Sequence, residues 1–240
     1  MYIAFASGAP TTFEHSHTAT KAAVAHSEPL DALAALEQIG TRRCFERGKE
    51  IYADGDASDC WYRVVSGAVR ICKLLADGRR HIGQFCFADD CFGLHAVGPR
   101  AASAEAIGDV VVTRFPQHAA DRLIAENSLL ARQLYDRTLR ELVNAQRRTL
   151  LLGRLTASER VASFLIEISE RHDSCHVLEL PMNRSDIADY LGLTIETVCR
   201  ELSALKRDGV IASPKFRSDR IELRDRDALE VLCEGAREVH

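Results

Sequence analysis

The sequence predicts an α+β chain: a β-rich N-terminal half, one long helix and a C-terminal winged helix-turn-helix. Three observations predict it. Short β-type runs alternate with glycine turns from Arg42 to Pro116, and a helical stretch from Asn127 to Gly153 has no Gly or Pro inside it. Asn183 to Arg207 then reads as two short amphipathic helices around Leu191-Gly192-Leu193. At 240 residues the chain can hold two cores of ordinary size. Apolar residues make up 46% and charged residues 28%, the profile of a globular protein.

Residues 1–28 are rich in Ala, Thr, Ser and His with little periodicity, which predicts a mobile arm. His15, His17 and His26 admit metal binding, but an exposed tract explains them as well, so no metal site is expected. The start MYIAFASGAP lacks a basic region followed by a long apolar core, and no run approaches a membrane span. A cytoplasmic protein with no membrane partner is therefore expected. Residues 29–40 predict a short helix ended by Gly40.

The β-type runs are Glu50–Ala53, Cys60–Val65, Ala68–Leu75, Arg80–Phe87, Ser103–Ala106 and Val110–Phe115. Turn signals at Asp54-Gly55-Asp56, Ser66-Gly67 and Asp77-Gly78 separate them, a spacing that suits a compact β-roll or jelly roll. Asn127 or Ser128 can cap the long helix. Along it Tyr135, Thr138, Leu142, Ala145, Thr149 and Leu152 step by three and four, a coiled-coil seam that predicts a homodimer. Leu134, Leu139, Leu150 and Leu151 flank the seam and can pack on the roll. The plainer alternative is one amphipathic helix lying on its own domain.

Thr156 to Glu159 has the form of a capping box that starts a helix running through Ile168 and ending before Asp173. Val177–Leu180 reads as a strand stopped by Pro181. After Gly209, Val210-Ile211 and Arg220–Leu223 predict a hairpin wing, with Lys215 and Arg217 placed for phosphate contact. The expected division is an arm over 1–28, a roll over 29–126, a dimerisation helix over 127–154 and a winged helix-turn-helix over 155–240.

Within the helix pair, Ser185 and Thr194 are read as N-caps and Gly192 as the turn residue. Ile187, Ala188 and Leu191 supply the core face of the first helix, and Ile195, Val198, Leu202 and Leu205 that of the second. Glu196, Thr197, Cys199, Arg200, Lys206 and Arg207 are left on the outer face. Glu196, Cys199 and Arg200 lie at i, i+3 and i+4, so they project together from the turns that a recognition helix inserts into the major groove. There Arg can clamp guanine O6 and N7, and Glu can accept from a cytosine amine. The candidate DNA-binding set is Ser185, Thr194, Ile195, Glu196, Thr197, Cys199, Arg200, Lys206, Lys215 and Arg217. A solvated helical hairpin is the plain alternative. The net charge of −4, with six Lys/Arg against five Asp/Glu from Arg184 to Arg217, puts the weight of recognition on base contacts.

DIADYLGLTIETVCRELSALKRDGVI resembles the C-terminal motif of the CRP/FNR family of bacterial transcription regulators. The E-x-x-[S/C]-R triplet points to its FNR/FixK branch; within it FixK-like regulators of oxygen-limited growth and nitrogen-fixation genes fit best, since residues 1–43 lack the cysteine group of FNR itself. The resemblance implies a homodimeric activator that touches RNA polymerase and reads a TTGA…TCAA palindrome of double-stranded DNA with Glu196, Cys199 and Arg200. Cys199 stands where the family usually has Ser, which places a redox-active atom on the reading face. Its oxidation is expected to switch off DNA binding, with a passive thiol as the alternative.

Upstream, I-Y-x-x-G-D…W-Y-R-V-V-S-G-A-V-R resembles the cyclic-nucleotide-binding β-roll of the same family. The resemblance implies a Glu for the ribose and an Arg for the cyclic phosphate. Phe92-Gly93-Leu94-His95 has Leu94 in place of the Glu, and Ala101 to Ala106 lacks the Arg. Glu105 would repel a phosphate if it faced the pocket, although Arg100 can still reach in from the loop. Cyclic AMP is therefore not expected as effector. The eight cysteines include no C-x-x-C pair, and residues 1–43 contain none, which argues against zinc and an iron–sulfur cluster. Cys86, Cys91 and His95 are the local candidates for haem, but buried thiols and a loop His are the favoured account, so no cofactor is expected. A roll gated by haem or a nucleotide stays open as the rival. An enzyme is the rival from another class, though no Ser-His-Asp set, phosphate loop or paired carboxylates stand out.

Overall fold

The computed structural model describes residues 36–94, 98–171, 176–214 and 219–234, all within the unit Asp31–His240. The arm expected over residues 1–28, with His15, His17 and His26, lies outside the described residues. So does most of the helix expected over 29–40. Leu36 and Glu37 close a helical turn, and the Gly40 N–H donates to the Leu36 carbonyl at 3.1 Å.

Eight strands follow: β1 (Thr41–Phe45), β2 (Glu50–Tyr52), β3 (Cys60–Ser66), β4 (Val69–Leu74), β5 (Arg80–Cys86), β6 (Cys91–Phe92), β7 (Ser103–Ala106) and β8 (Val110–Pro116). They form two four-stranded antiparallel sheets, ordered β1-β8-β3-β6 and β2-β7-β4-β5. Six of the eight match the runs read from the sequence. β1 and β6 do not, because TRRCF offers no apolar alternation and Cys91–Phe92 is only two residues long. Both exist through their partners: β1 pairs β8 from Thr41↔Arg114 to Phe45↔Val110, and β6 pairs β3 at Tyr62↔Phe92. Val64, Val69, Cys86, Phe92, Ala104, Ala106 and Val112 point inward at the strand period of two and fill the interior.

Helix α1 (Gln117–Glu126), absent from the sequence expectation, follows β8 directly. Asn127 then caps α2 (Ser128–Arg154) by accepting from the Leu130 N–H at 3.0 Å. Leu130 and Leu134 pack α2 on Trp61, Phe115 and Ala120. Leu139, expected to pack on the roll beside Leu134, is exposed instead. It sits five residues beyond Leu134, about 140° further round the helix and off the packed stripe.

The capping box at Thr156 forms. Its N–H and O–H both donate to Glu159 Oε2, at 2.6 and 2.7 Å, and α3 (Ala157–Arg171) begins. Strand β9 (Val177–Glu179), α4 (Arg184–Leu191), α5 (Ile195–Arg207), β10 (Ile211–Ala212), β11 (Arg220–Leu223) and α6 (Arg226–Glu234) complete the order. The expected wing pairs Ile211 with Leu223. β9 extends it to three strands, β10-β11-β9, and α6 is a further element that no sequence signal marked. Phe164, Leu165, Ile168, Leu178, Ile187, Leu191, Val198, Leu202, Leu205, Ile221 and Leu229 make one core.

That core continues into the roll. The Phe85 ring lies 5.0 Å from Tyr190 and 6.4 Å from Phe164, and Ile82 and Phe87 join the same cluster. Burying one such ring is worth about 2–3 kcal/mol. Two arginines of the roll reach the same helix. Arg70 Nη1 meets Asp186 at 3.0 Å, and Arg80 Nη2 meets Asp186 at 2.6 Å and Asp189 at 2.7 Å. On the far side Arg171 holds Asp90 at 3.1 Å.

Candidate nucleic-acid interface

The helix pair starts at a cap different from the expected one. Asn183, not Ser185, caps α4: its side chain accepts from the Asp186 N–H at 2.8 Å, and Asp186 accepts from the Asn183 N–H in return. Ser185 lies inside the first turn. Both residue types cap well, and the acid three residues after Asn183 decides between them by satisfying a second orphan N–H. Gly192 closes α4 in the left-handed region, at φ 62 and ψ 38, where a Cβ would be strained. Thr194 caps α5 as expected, accepting from the Thr197 N–H at 3.2 Å.

α5 divides its residues cleanly. Val198, Leu202 and Leu205 are buried against α4 and α3, while Glu196, Cys199, Arg200, Lys206 and Arg207 are exposed and Thr197 is half-buried. Ile195, expected in the core row, is 44% exposed. Side chains of a helix lean toward its N-terminus, so at the first residue of α5 the side chain projects past the packed face. It joins the outward set that also belongs to the candidate interface.

The charges on this face are ordered. Its own backbone N–H and the Thr194 hydroxyl hold the Glu196 carboxyl below the usual range, so it is an acceptor at neutral pH. Arg200 is 69% exposed in its side chain, and its Nε and Nη2 both meet Glu201 Oε1 at 3.2 Å. Glu196 sits in the first turn and Lys206 and Arg207 in the last, which suits the helix dipole. Half-buried Arg184, from the start of α4, interacts electrostatically with Cys199. Lys215 and Arg217 lie outside the described residues.

Along α2 the expected seam residues divide: Tyr135, Thr138 and Leu142 face solvent, whereas Ala145, Thr149 and Leu152 border a cavity with Ile82 and Tyr190 of the same chain. Tyr135 is 60% and Leu142 54% exposed, Thr138, Ala145 and Thr149 are exposed, and Leu152 is half-buried. Leu139 and Val143 widen this apolar stripe.

Glu105 would oppose a phosphate only if it faced the roll interior. Glu105 does not face inward. Its neighbours Ala104 and Ala106 do, so the strand period turns Glu105 out, where Arg70 donates to it at 2.7 and 2.8 Å. The interior holds Arg100 instead, at 3% exposure. Its guanidinium lies 3.8 Å from the centroid of the Tyr52 ring and donates to the carbonyls of Cys60 and Gly93. Gly93 permits this approach: a Cβ there would stand 2.6 Å from Arg100 Nη1. Among the described residues Arg100 has no carboxylate partner. Burial pushes the Cys86 thiol well up and that of Cys91 to about 11, so both are protonated at neutral pH. His95 lies outside the described residues. Among the described residues no cluster of His, Cys, Asp and Glu fits a metal, and no helix is long and apolar enough to cross a membrane.

Known proteins carry the same two parts. Residues 42–127 match the cyclic nucleotide-binding domain and residues 159–232 the Crp-like helix-turn-helix domain. The nitrogen fixation regulation protein FixK of Azorhizobium caulinodans is 43% identical over 211 residues, covering 86% of this chain and 83% of its own. FixK of Rhizobium meliloti is 41% identical over 79% of this chain and 85% of its own. This chain belongs to the FixK-like branch of the CRP/FNR family of transcription regulators. The solved structure of FixK2 from Bradyrhizobium japonicum superposes on the FixK-like chain with a TM-score of 0.77, at 41% identity over 81% of this chain and 97% of that one. The α+β architecture of this FixK-like regulator is thus that of its family.

Sequence reading missed the Arg70–Asp186–Arg80 clamp and found Arg100 only as a residue able to reach in. The first had no local signal, because its partners are 116 and 106 residues apart.

Proposed function

We propose that this FixK-like regulator is a homodimeric transcription activator that reads a TTGA…TCAA-type palindrome and then touches RNA polymerase. The observation that carries the reading is the two-sided α5: a buried row of Val198, Leu202 and Leu205 behind an exposed Glu196, Cys199 and Arg200. Glu196 accepts from a cytosine amine, Arg200 clamps a guanine, and Ile195 and Thr197 contact bases or sugars beside them. Thr194 and Ser185, with Lys206, Lys215 and Arg217, serve the backbone. The working division is an arm over 1–28, the roll over 29–126, the dimerisation helix over 127–154 and the reading domain over 155–240. Two copies pair along Tyr135, Thr138, Leu142, Ala145, Thr149 and Leu152, because one helix-turn-helix covers half a palindrome. The protein acts in the cytoplasm and catalyses no reaction.

The roll works without an added effector. Arg100 occupies its interior with its own hydrogen bonds and the Tyr52 face, which supports that reading. Control then falls on abundance and on Cys199, whose oxidation adds bulk and negative charge on the reading face. A second reading, a ligand-gated roll, draws on the same residue: an anionic ligand would supply Arg100 with a direct anionic contact, which it does not have among the described residues. Haem is the weaker form of it, since protonated Cys86 and Cys91 are poor thiolate ligands.

The deciding experiment is binding of reduced, ligand-free protein to the palindrome and to a scrambled duplex, then again after mild peroxide. Selective binding without ligand, lost on oxidation and retained by Cys199→Ser, is expected. Absence of selectivity until a nucleotide or haem is added would favour the gated roll instead.

A further inference from the structure

The hinge between α2 and the reading domain is organised by one side chain. Arg160, near the start of α3, donates from its three guanidinium nitrogens to three different backbone carbonyls. Nη2 meets Leu152 at 2.8 Å, Nε meets Leu155 at 2.9 Å and Nη1 meets Leu191 at 3.0 Å. Leu152 belongs to the last turn of α2, Leu155 is the residue after that helix, and Leu191 is the last residue of α4. Carbonyls at helix C-termini have no partner within the helix and carry the negative end of the dipole. Arg160 therefore satisfies the ends of two helices at once, and among the described residues no carboxylate competes for it. The Gly192 turn packs against the same place: a Cβ there would lie 3.5 Å from Leu152 Cδ2 and 3.7 Å from Arg160 Nη1.

We propose that Arg160 is a positioning residue for DNA recognition: its planar fork sets the angle between α2 and α4, and so the separation of the two α5 helices in the dimer. Three acceptors in a fork fix direction as well as distance, which the single ammonium of a lysine does not. The turn at Gly192 passes that direction from α4 to α5, because the Leu193 N–H is held by the Ala188 carbonyl at 3.0 Å. In a two-fold dimer an angular error at the hinge is doubled between the two recognition helices. Their spacing has to match half-sites about one helical turn apart.

This inference rests on the two-fold reading above, and its test separates the two. Binding is measured for wild type, Arg160→Ala and Arg160→Lys on palindromes with the central spacer lengthened or shortened by one base pair, and on a single half-site. Wild type should lose at least about tenfold in affinity when the spacer changes, since one base pair turns a half-site by about 35°. In Arg160→Ala that preference should shrink to about threefold or less, with single half-site affinity within about twofold of wild type. Arg160→Lys should fall between them. A folded, dimeric Arg160→Ala with the wild-type spacing profile would overturn the inference. So would failure of both variants to give folded dimers by sedimentation and circular dichroism, which would make Arg160 a folding determinant. A wild type indifferent to spacing would sink the two-fold reading, and this inference with it.

Discussion

Arg100 and Arg200 carry the same side chain in opposite surroundings. Arg100 is buried in the roll, with two carbonyls and an aromatic face around it and no carboxylate among the described residues. Arg200 stands mostly in solvent on α5, with its Nε and Nη2 tied to Glu201. A guanidinium taken out of water must have its N–H groups satisfied, so Arg100 is committed to its site. Surface ion pairs are typically worth about 0–1 kcal/mol, so Arg200 can exchange Glu201 for another acceptor at little cost. The difference teaches where an arginine is structure and where it is available for recognition.

The comparison is broken most strongly inside the roll. Arg100→Ala should destabilise the fold by about 3–5 kcal/mol in denaturant unfolding, through the void and the two orphaned carbonyls. Arg100→Met should recover part of that loss, because it fills the space and removes a buried charge that has no direct carboxylate contact among the described residues. A Met variant as unstable as the Ala variant would mean that the hydrogen bonds, not the volume, hold this site. At α5 the effect should move from stability to binding. Arg200→Ala should weaken palindrome binding by about 1–3 kcal/mol and relax selectivity at one guanine, while unfolding shifts by less than about 0.5 kcal/mol. Equal loss on palindrome and random DNA would count against base reading. Lys206→Ala should weaken both alike and lower the salt slope by about one, read from binding at several salt concentrations. The smallest effect sharpens the contrast in thiols. Alkylation of native protein near pH 8, mapped by peptide mass, should label exposed Cys199 long before Cys86 or Cys91, whose thiols burial keeps protonated.

Legibility in the sequence followed the range of the interaction. Ser103–Ala106 was readable as a strand because its alternation is local, whereas TRRCF became β1 only through pairing with β8. Thr194 was readable as a cap, and so was the Thr156–Glu159 box. Asn183 was legible too, through the acid three residues on, but two neighbouring cap types obscured it. The triplet Glu196, Cys199 and Arg200 followed from helical spacing alone. Ile195 did not, because period says which row a residue joins and not where packing stops. Glu105 was placed in its strand with its face left open, and the inward turn of Ala104 and Ala106 decided that it points out.

By itself the sequence determined the order of elements around the helix-turn-helix, the turn at Gly192 and the outward triplet of α5. Each depends on neighbours within about one or two turns of chain. Tertiary structure decided which partners the long cationic side chains take. Arg100 reaches Cys60 across 40 residues, Arg160 reaches Leu191 across 31 and Arg70 reaches Asp186 across 116. A flexible side chain with five donors is compatible with many acceptors, and only the folded backbone brings one set of them within hydrogen-bond distance.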